Sequence, residues 1–322
     1  MRPYTTPCRP PLWAKGGHAQ TILGHVLPSP DGMVQESTGY NRHEVCVGDG
    51  DRLVVFARRG TTGARVILLH GLSGHANAEY MRLAAAALSA DGHGIWAVNH
   101  RGCGAGQGLA GRPYHSGKTD DLAAVLAASY ADAPDLKHIV VGFSLSGNLA
   151  LLHSAQGLQP APTGIVAVNP PVDLEDTSVA IGRGLSRLYE RRFMWRLRRA
   201  VRQREAAGQT KGSYDIPLNL SLLEFDDLFT APECGFASGM DYYRRCSSLM
   251  HLGRVTTPSV ILTAADDPFV DPAVYGRAQL PDSMHLHVEQ HGGHVGYLTR
   301  QKLGWERWLK GALSHYVAEL LG

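Results

Sequence analysis

No run of eighteen apolar residues occurs in the chain, so no helix long enough to span a membrane is expected. Charge of one sign is also missing. The 31 Lys and Arg against 29 Asp and Glu leave a formal net charge of +2, too little to argue for nucleic acid or another polyanionic partner. Cysteine is sparse: Cys8, Cys46, Cys103, Cys234 and Cys246 lie far apart with no C-x-x-C pair, which fits reduced thiols better than a disulfide framework. The opening MRPYTTPCRPPLWAKGG lacks the apolar middle of a secretory signal. It reads as an ordered arm over the domain of a soluble, cytoplasmic protein. Metal-ligand spacing is absent too. The densest histidine group, His285-x-His287 with His291-x-x-His294, has no carboxylate or thiolate at ligand spacing and reads mainly as one face of a strand.

What the chain does have is enough apolar sequence, 44%, to bury a large core. Short β-branched runs alternate with helical patterns, the signature of a parallel sheet with helices on both faces. HEVCVGD and RLVVFARRG read as an opening hairpin. RVILLHG, GIWAVNHR, HIVVGFS, GIVAVNPP, SVILTAADD and MHLHVEQHGG read as buried strands, about eight strands in all. AEYMRLAAAALSADG, TDDLAAVLAASYADAP, SGNLALLHSAQG and GWERWLKGALSHYVAELL read as helices. Residues 173–255 break the alternation and are expected to form a helical cap inserted after the sixth strand. Residues 1–172 and 256–322 then form the core with its N-terminal arm. Within the cap, Gly184 to Ala207 reads as an amphipathic helix, with Leu185, Tyr189, Phe193, Leu197 and Val201 every fourth residue, Leu188 and Ala200 widening that stripe, and arginines on the other faces. Packing over an active site is the expected role, with peripheral contact at a membrane surface as the alternative.

The most informative stretch is HIVVGFSLSGNLALLH, a strand that runs through Gly142-Phe143-Ser144-Leu145-Ser146-Gly147 directly into a helix. Small residues on both sides of Ser144 permit a tight strand-to-helix turn that holds its hydroxyl out at a helix N-terminus. A serine hydroxyl needs a base, and the base needs an orienting carboxylate. In chain order the acids of AADDPFVDP come next, with Asp267 preferred to Asp266 because it precedes Pro268 and opens a turn pattern. The base follows in HLHVEQHGGHVGYL, with His294 preferred to His291 because the preceding glycines free the loop. The amides of Leu145 and Leu72 are the expected oxyanion donors. The expected chemistry is hydrolysis of carboxylic esters through an acyl-enzyme, with no cofactor. Acyl transfer to another acceptor, lipid or thioester cleavage on the same triad, and a silent ligand-binding protein are the alternatives. RGCGAGQG lacks both G-x-G-x-x-G spacing and a following helix, so nucleotide binding is not expected.

GGHAQTIL, HGLSG, NHRGCG, YHSGKTDDL, VGFSLSGN, FDDLFTAP, DYYRRCSS, AADDPFV and HGGHVGY follow one another along nearly the whole chain. In these pieces the sequence resembles the YheT-like branch of the α/β-hydrolase fold proteins. The resemblance implies a serine hydrolase acting on esters and acyl lipids. The family usually has GFSLGGN at the nucleophile, so Ser146 is a departure. Related branches also carry an H-x-x-x-x-D acyltransferase-like motif, matched here by His115 and Asp120. The local sequence reads instead as a helix start, with Thr119 as N-cap and Asp120 and Asp121 in the first turn.

Overall fold

Every residue of the strand Ala64–Leu69 is buried, yet its neighbours in sequence serve different cores. Val66 and Leu68 belong to one apolar cluster, Ile67 and Leu69 to another. Side chains alternate across a pleated strand, so an all-apolar run marks a sheet covered on both faces. The computed structural model describes residues 1–28 and 31–322. Its main sheet has eight strands: β1 (Asn41–Cys46), β2 (Arg52–Arg58), β3 (Ala64–Leu69), β4 (Gly94–Asn99), β5 (Lys137–Phe143), β6 (Gly164–Val168), β7 (Ser259–Ala264) and β8 (Met284–Glu289). Their order is β1-β2-β4-β3-β5-β6-β7-β8. β1 and β2 form the expected hairpin, β2 runs antiparallel to β4, and β3 through β8 are parallel.

The N-terminal segment precedes α1 (Gly17–Val26), and α2 (Glu79–Ala90), α3 (Thr119–Asp132) and α4 (Leu145–Ala155) connect successive strands. After β6 the chain passes through α5 (Leu174–Ile181), α6 (Arg187–Ala206), α7 (Leu222–Phe225), α8 (Ala231–Cys234) and α9 (Gly239–Cys246) before returning to β7. A π-helical turn, Asp226–Thr230, joins α7 to α8. This is the helical insertion after the sixth strand. No described helix is long and apolar enough to cross a membrane.

Three local expectations need correction. The C-terminal helix does not begin at Gly304. Leu298–Gln301 and Gly304–Arg307 form a small hairpin, β9 and β10, and α10 spans only Leu309–Leu321. Gly304 has φ +108°, a conformation that closes a tight turn and is foreign to a right-handed helix. Thr119 is not an N-cap; it is already helical, and its hydroxyl bonds Gln156 Oε1 at 2.7 Å. On α6 the fourfold stripe is only partly buried. Val201 is covered and Tyr189, Phe193 and Leu197 are half-buried, whereas Leu188, and Leu185 in the 3-10 turn before α6, are 58% and 65% exposed.

The N-terminal arm lies along α10. Arg2 N donates to Glu319 at 2.7 Å, Tyr4 N to Tyr316 Oη at 3.2 Å, and Trp308 Nε1 to Thr6 O at 2.6 Å. Arg101, at the end of β4, is fully buried among Asp49, Asp51 and Asp121. Its guanidinium ties the β1–β2 turn to the first turn of α3, and the surrounding carboxylates keep it charged.

Candidate active site

Ser144 sits between β5 and α4 with φ 51° and ψ −122°, a strained backbone for a residue with a Cβ. The turn is tight enough that a Cβ on Gly142 would come within 2.4 Å of Ser146 O, and one on Gly147 within 2.9 Å of Pro170. Glycine is therefore required two residues before the serine and three after it. At position 146, two after, a side chain fits.

The structure brings Ser144, His294 and Asp267 together. His294 Nε2 is 2.8 Å from Ser144 Oγ, and its Nδ1 is 2.8 Å from Asp267 Oδ2. The Asp267 side chain is fully enclosed. Its Oδ1 accepts the amides of Phe269 and Val270 at 3.1 and 3.0 Å, and Oδ2 also accepts from Asn169 Nδ2 at 2.7 Å. Those bonds aim the carboxylate at the imidazole, while the Phe269 ring lies against it with centroids 4.2 Å apart. Asp266 has another task. It accepts the amides of Gly292 and Gly293 at 2.9 and 2.8 Å and pairs with His291 at 3.3 Å, holding the histidine loop. His291 stands beside that anchor and away from Ser144.

Leu72 and Leu145 both line the cavity at Ser144. Gly71 packs so close that a Cβ there would lie 3.1 Å from Ser144 Cβ. The neighbouring amides are occupied, Gly71 N by Tyr80 Oη at 3.0 Å and Ser73 N by Tyr114 Oη at 2.7 Å. Among the described residues, the Leu72 and Leu145 amides have no hydrogen-bond acceptor outside their own elements. Both N–H groups are thus left without a protein acceptor among the described residues.

Sequence reasoning missed several residues that hold this geometry. Asn169, at the end of β6, has φ 47° and donates to Asp267 and to Gly293 O, while its Oδ1 accepts from Tyr297 Oη at 3.0 Å. Thr21 Oγ1 accepts from His294 N at 2.8 Å, and the Gln20 amide bonds both N–H and C=O of Leu298. Helix α1 comes this close because Gly24 meets Gly296. The GG and G-x-x-x-x-x-x-G spacing in GGHAQTILG was the available signal. Ser146 is fully buried; its hydroxyl donates to His70 O and lies 2.7 Å from His100 Nε2. Burial lowers the pKa of His100 to about 4 and that of His70 well below the ordinary value, so both are neutral at pH 7.

Two cavities meet at Ser144. One, about 300 Å³, runs under the insertion past Leu174, Ile181, Leu197, Phe225 and Phe229. The other, about 710 Å³, opens between α1, α2 and α6 and reaches His294. Leu72, Phe193 and Phe269 join Ser144 in lining both. His115 points into the first against Phe236 and Tyr242, and burial with the Lys118 charge lowers its pKa to about 3. Asp120 is turned outward in a pair with Lys118 at 2.8 Å. His287 is engaged by Tyr316 Oη at 2.6 Å. Among the described residues no group of three His, Cys, Asp or Glu is arranged to hold a metal ion.

Residues 60–291 match the family model described as serine aminopeptidase, S33. The YheT protein of Escherichia coli (strain K12), named as a candidate esterase, is 33% identical over 80% of this chain and 77% of its own length. The chain belongs to this family of α/β hydrolases. This hydrolase is also 26% identical to medium-chain fatty acid ethyl ester synthase/esterase 2 of Saccharomyces cerevisiae, over 74% of this chain and 59% of that protein. Among solved structures, the Pyrococcus furiosus esterase Pf2001 shares the fold with a TM-score of 0.59 at 17% identity, covering 91% of this chain and 97% of that one.

Proposed function

We propose that the enzyme is a carboxylic ester hydrolase working by two-step acyl transfer on Ser144. The supporting observation is the single imidazole of His294 that bridges Ser144 Oγ and Asp267 Oδ2 at 2.8 Å each. Ser144 Oγ attacks the ester carbonyl as His294 Nε2 takes its proton, and Asp267 holds the imidazole and stabilises its charge. The carbonyl oxygen, now negative, accepts from the Leu72 and Leu145 amides. His294 then gives the proton to the leaving alcohol. In the second step it draws a proton from water, which attacks the acyl-serine, and it returns that proton to Ser144 Oγ as the acid leaves.

Residues 173–255 serve as a cap that covers the acyl group. The narrower cavity beneath them, walled by Leu174, Ile181, Phe225 and Phe229, supports binding of the acyl chain there. The wider one takes the alcohol portion. On the outer edge of α6, exposed Leu185, Leu188 and Trp195 beside Arg191 and Arg202 support contact with an anionic membrane surface, which sedimentation with phosphatidylglycerol vesicles tests. Reduced cysteines are consistent with a cytoplasmic site of action.

Labelling with a fluorophosphonate tests the central claim. Wild type should be labelled on Ser144, and Ser144→Ala should lose label and ester turnover together, on the order of 10³-fold or more in kcat. A Ser144→Ala protein that kept a tenth of wild-type turnover would refute the nucleophile.

A further inference from the structure

Helix α6 carries eight arginines and only two acids. Neither acid neutralises them. Glu190 Oε1 accepts Leu222 N at 3.0 Å, and Glu205 Oε1 accepts Tyr214 N at 2.6 Å. Among the described residues no α6 arginine forms an ion pair. Most of these side chains lie on the solvated face, where that is unremarkable. Arg192, Arg196 and Arg199 also line the second cavity, Arg196 half-buried and the other two exposed at its edge. They stand at i, i+4 and i+7, one face of the helix, and that face forms a wall of the 710 Å³ cavity whose opposite end holds Ser144 and His294.

Two of these charges act on groups in the cavity wall. Arg192 and Arg196 are close enough to His25 for both charges to lower its pKa, which burial brings to about 4. Arg196 also acts on His75 and on Tyr80, whose hydroxyl holds the Gly71 amide beside the oxyanion position. Burial and the neighbouring Arg192 charge lower the pKa of Arg196 itself, without bringing a guanidinium near neutrality. The one carboxylate lining this chamber, Glu79, is paired with Arg82. Two mutually repelling cations, Arg196 half-buried and Arg192 exposed beside it, thus border the leaving-group side of the site with no ion pair among the described residues. Their mutual repulsion, softened by solvent, is relieved when an anion enters between them.

We propose that Arg192 and Arg196, with Arg199 at the rim, form a subsite for a phosphate or carboxylate carried on the alcohol portion of the substrate. The proposal rests on Ser144 as nucleophile, since that places the alcohol portion in the wider chamber. The enzyme is thereby selective for anionic esters, and the apolar cavity under the cap receives their acyl chain. A guanidinium pair binds such a group in both ground and transition states, so its effect falls mainly on KM.

The test compares two soluble esters with the same acyl group, para-nitrophenyl butyrate and its ring-carboxylated analogue. The ratio of their kcat/KM values, anionic over neutral, is measured for wild type, Arg192→Gln, Arg196→Gln and the double variant. It should fall by about tenfold in the double variant, equivalent to about 1.4 kcal/mol of transition-state binding. Added salt should lower the wild-type ratio. Arg187→Gln, which removes the same charge from an exposed residue lining neither cavity, should leave the ratio where it is. Turnover of lysophosphatidylglycerol by the same variants then shows the anion's source. A parallel loss assigns it to a lipid headgroup, and a loss confined to the chromogenic pair assigns it to soluble esters. An equal ratio in wild type and double variant overturns the subsite. Ser144→Ala run on the neutral ester keeps the two claims apart. Its inactivity upholds the nucleophile even where the ratio fails, and its activity removes the nucleophile whatever the ratio does.

Discussion

Ser146 joins the loop after β3 to the turn after β4: its hydroxyl donates to the carbonyl of His70 while His100 Nε2 lies 2.7 Å from it. Since the hydroxyl proton is used on His70, the imidazole must be the donor in the second bond. His100 N donates in turn to His70 Nε2 at 3.2 Å, so the loop carrying Gly71 and Leu72 is tied to the helix that starts at Ser144. The residue that departs from the family pattern therefore has a structural task. Ser146→Gly should leave the His70 carbonyl and the His100 N–H unpaired in a buried place, at a cost of about 1–3 kcal/mol by denaturant unfolding. Because the loop also carries Leu72, kcat should fall more than KM rises. A Ser146→Gly enzyme with wild-type stability and kcat would show that the network is idle.

Asp266 and Asp267 are adjacent, and their different partners predict different losses. Asp267→Asn removes the acceptor that fixes the His294 tautomer and should lower kcat on the order of 10³ to 10⁴-fold in a protein that still folds. Asp266→Asn weakens the hold on the Gly292 and Gly293 amides, so it should cost stability, about 1–3 kcal/mol, and activity only secondarily. Kinetics and thermal unfolding of the two variants, measured together, check this. A stable Asp266→Asn protein as inactive as Asp267→Asn would reverse the roles.

The strands were legible because a buried parallel strand is written locally, as in RVILL or HIVVGF. The convergence of Ser144, Asp267 and His294 could be read for a related reason: in this fold each stands just past a strand end, in a fixed chain order. Asn169 also stands past a strand end, but an Asn-Pro pair reads as a plain turn until the residues facing it are known. The glycine spacing around Thr21 and Gln20 signals a close approach, but not to what, because His294 and Leu298 lie more than 270 positions away. The stripe on α6 failed for a geometric reason. Every fourth residue advances about 400° around a helix, so a fourfold row drifts by about 40° a step and cannot stay on one face from Leu185 to Val201. Tyr189 and Phe193 pack on Ile181, Phe269 and Val270, and Leu197 and Val201 on Ile216, Phe225 and Phe229, while Leu185 at the start of the row is left exposed. The short β9–β10 hairpin was hidden by tryptophans that suit a helix equally well.

Asp226 supplies a pH test that is separate from the triad. It lies in the π-helical turn of the insertion, lines the narrower cavity, and accepts from Thr230 Oγ1 at 2.5 Å and Tyr243 Oη at 2.8 Å. Burial raises its pKa from the ordinary 3.8 to about 7, with the Asp227 charge adding to the rise and the two hydroxyl donors opposing it. The sign follows from proton counting. Between about pH 4 and pH 7 the folded protein keeps a proton on this carboxyl that the unfolded chain has released, so its contribution to stability is lost as pH rises through that window. Buried neutral histidines such as His100 and His153, whose pKa values burial lowers to about 4, act in the opposite sense between pH 6.5 and pH 4. A wild-type curve alone therefore mixes both effects. The difference between wild type and Asp226→Asn isolates one, because the histidines cancel. Going from pH 4.5 to pH 7.5, the variant should gain thermal stability relative to wild type by several degrees, within the range a change of about 1–2 kcal/mol produces in a protein of this size. Parallel melting curves across that range would mean that Asp226 is ionised throughout, and that a carboxyl lining the cavity under the insertion carries a charge at neutral pH.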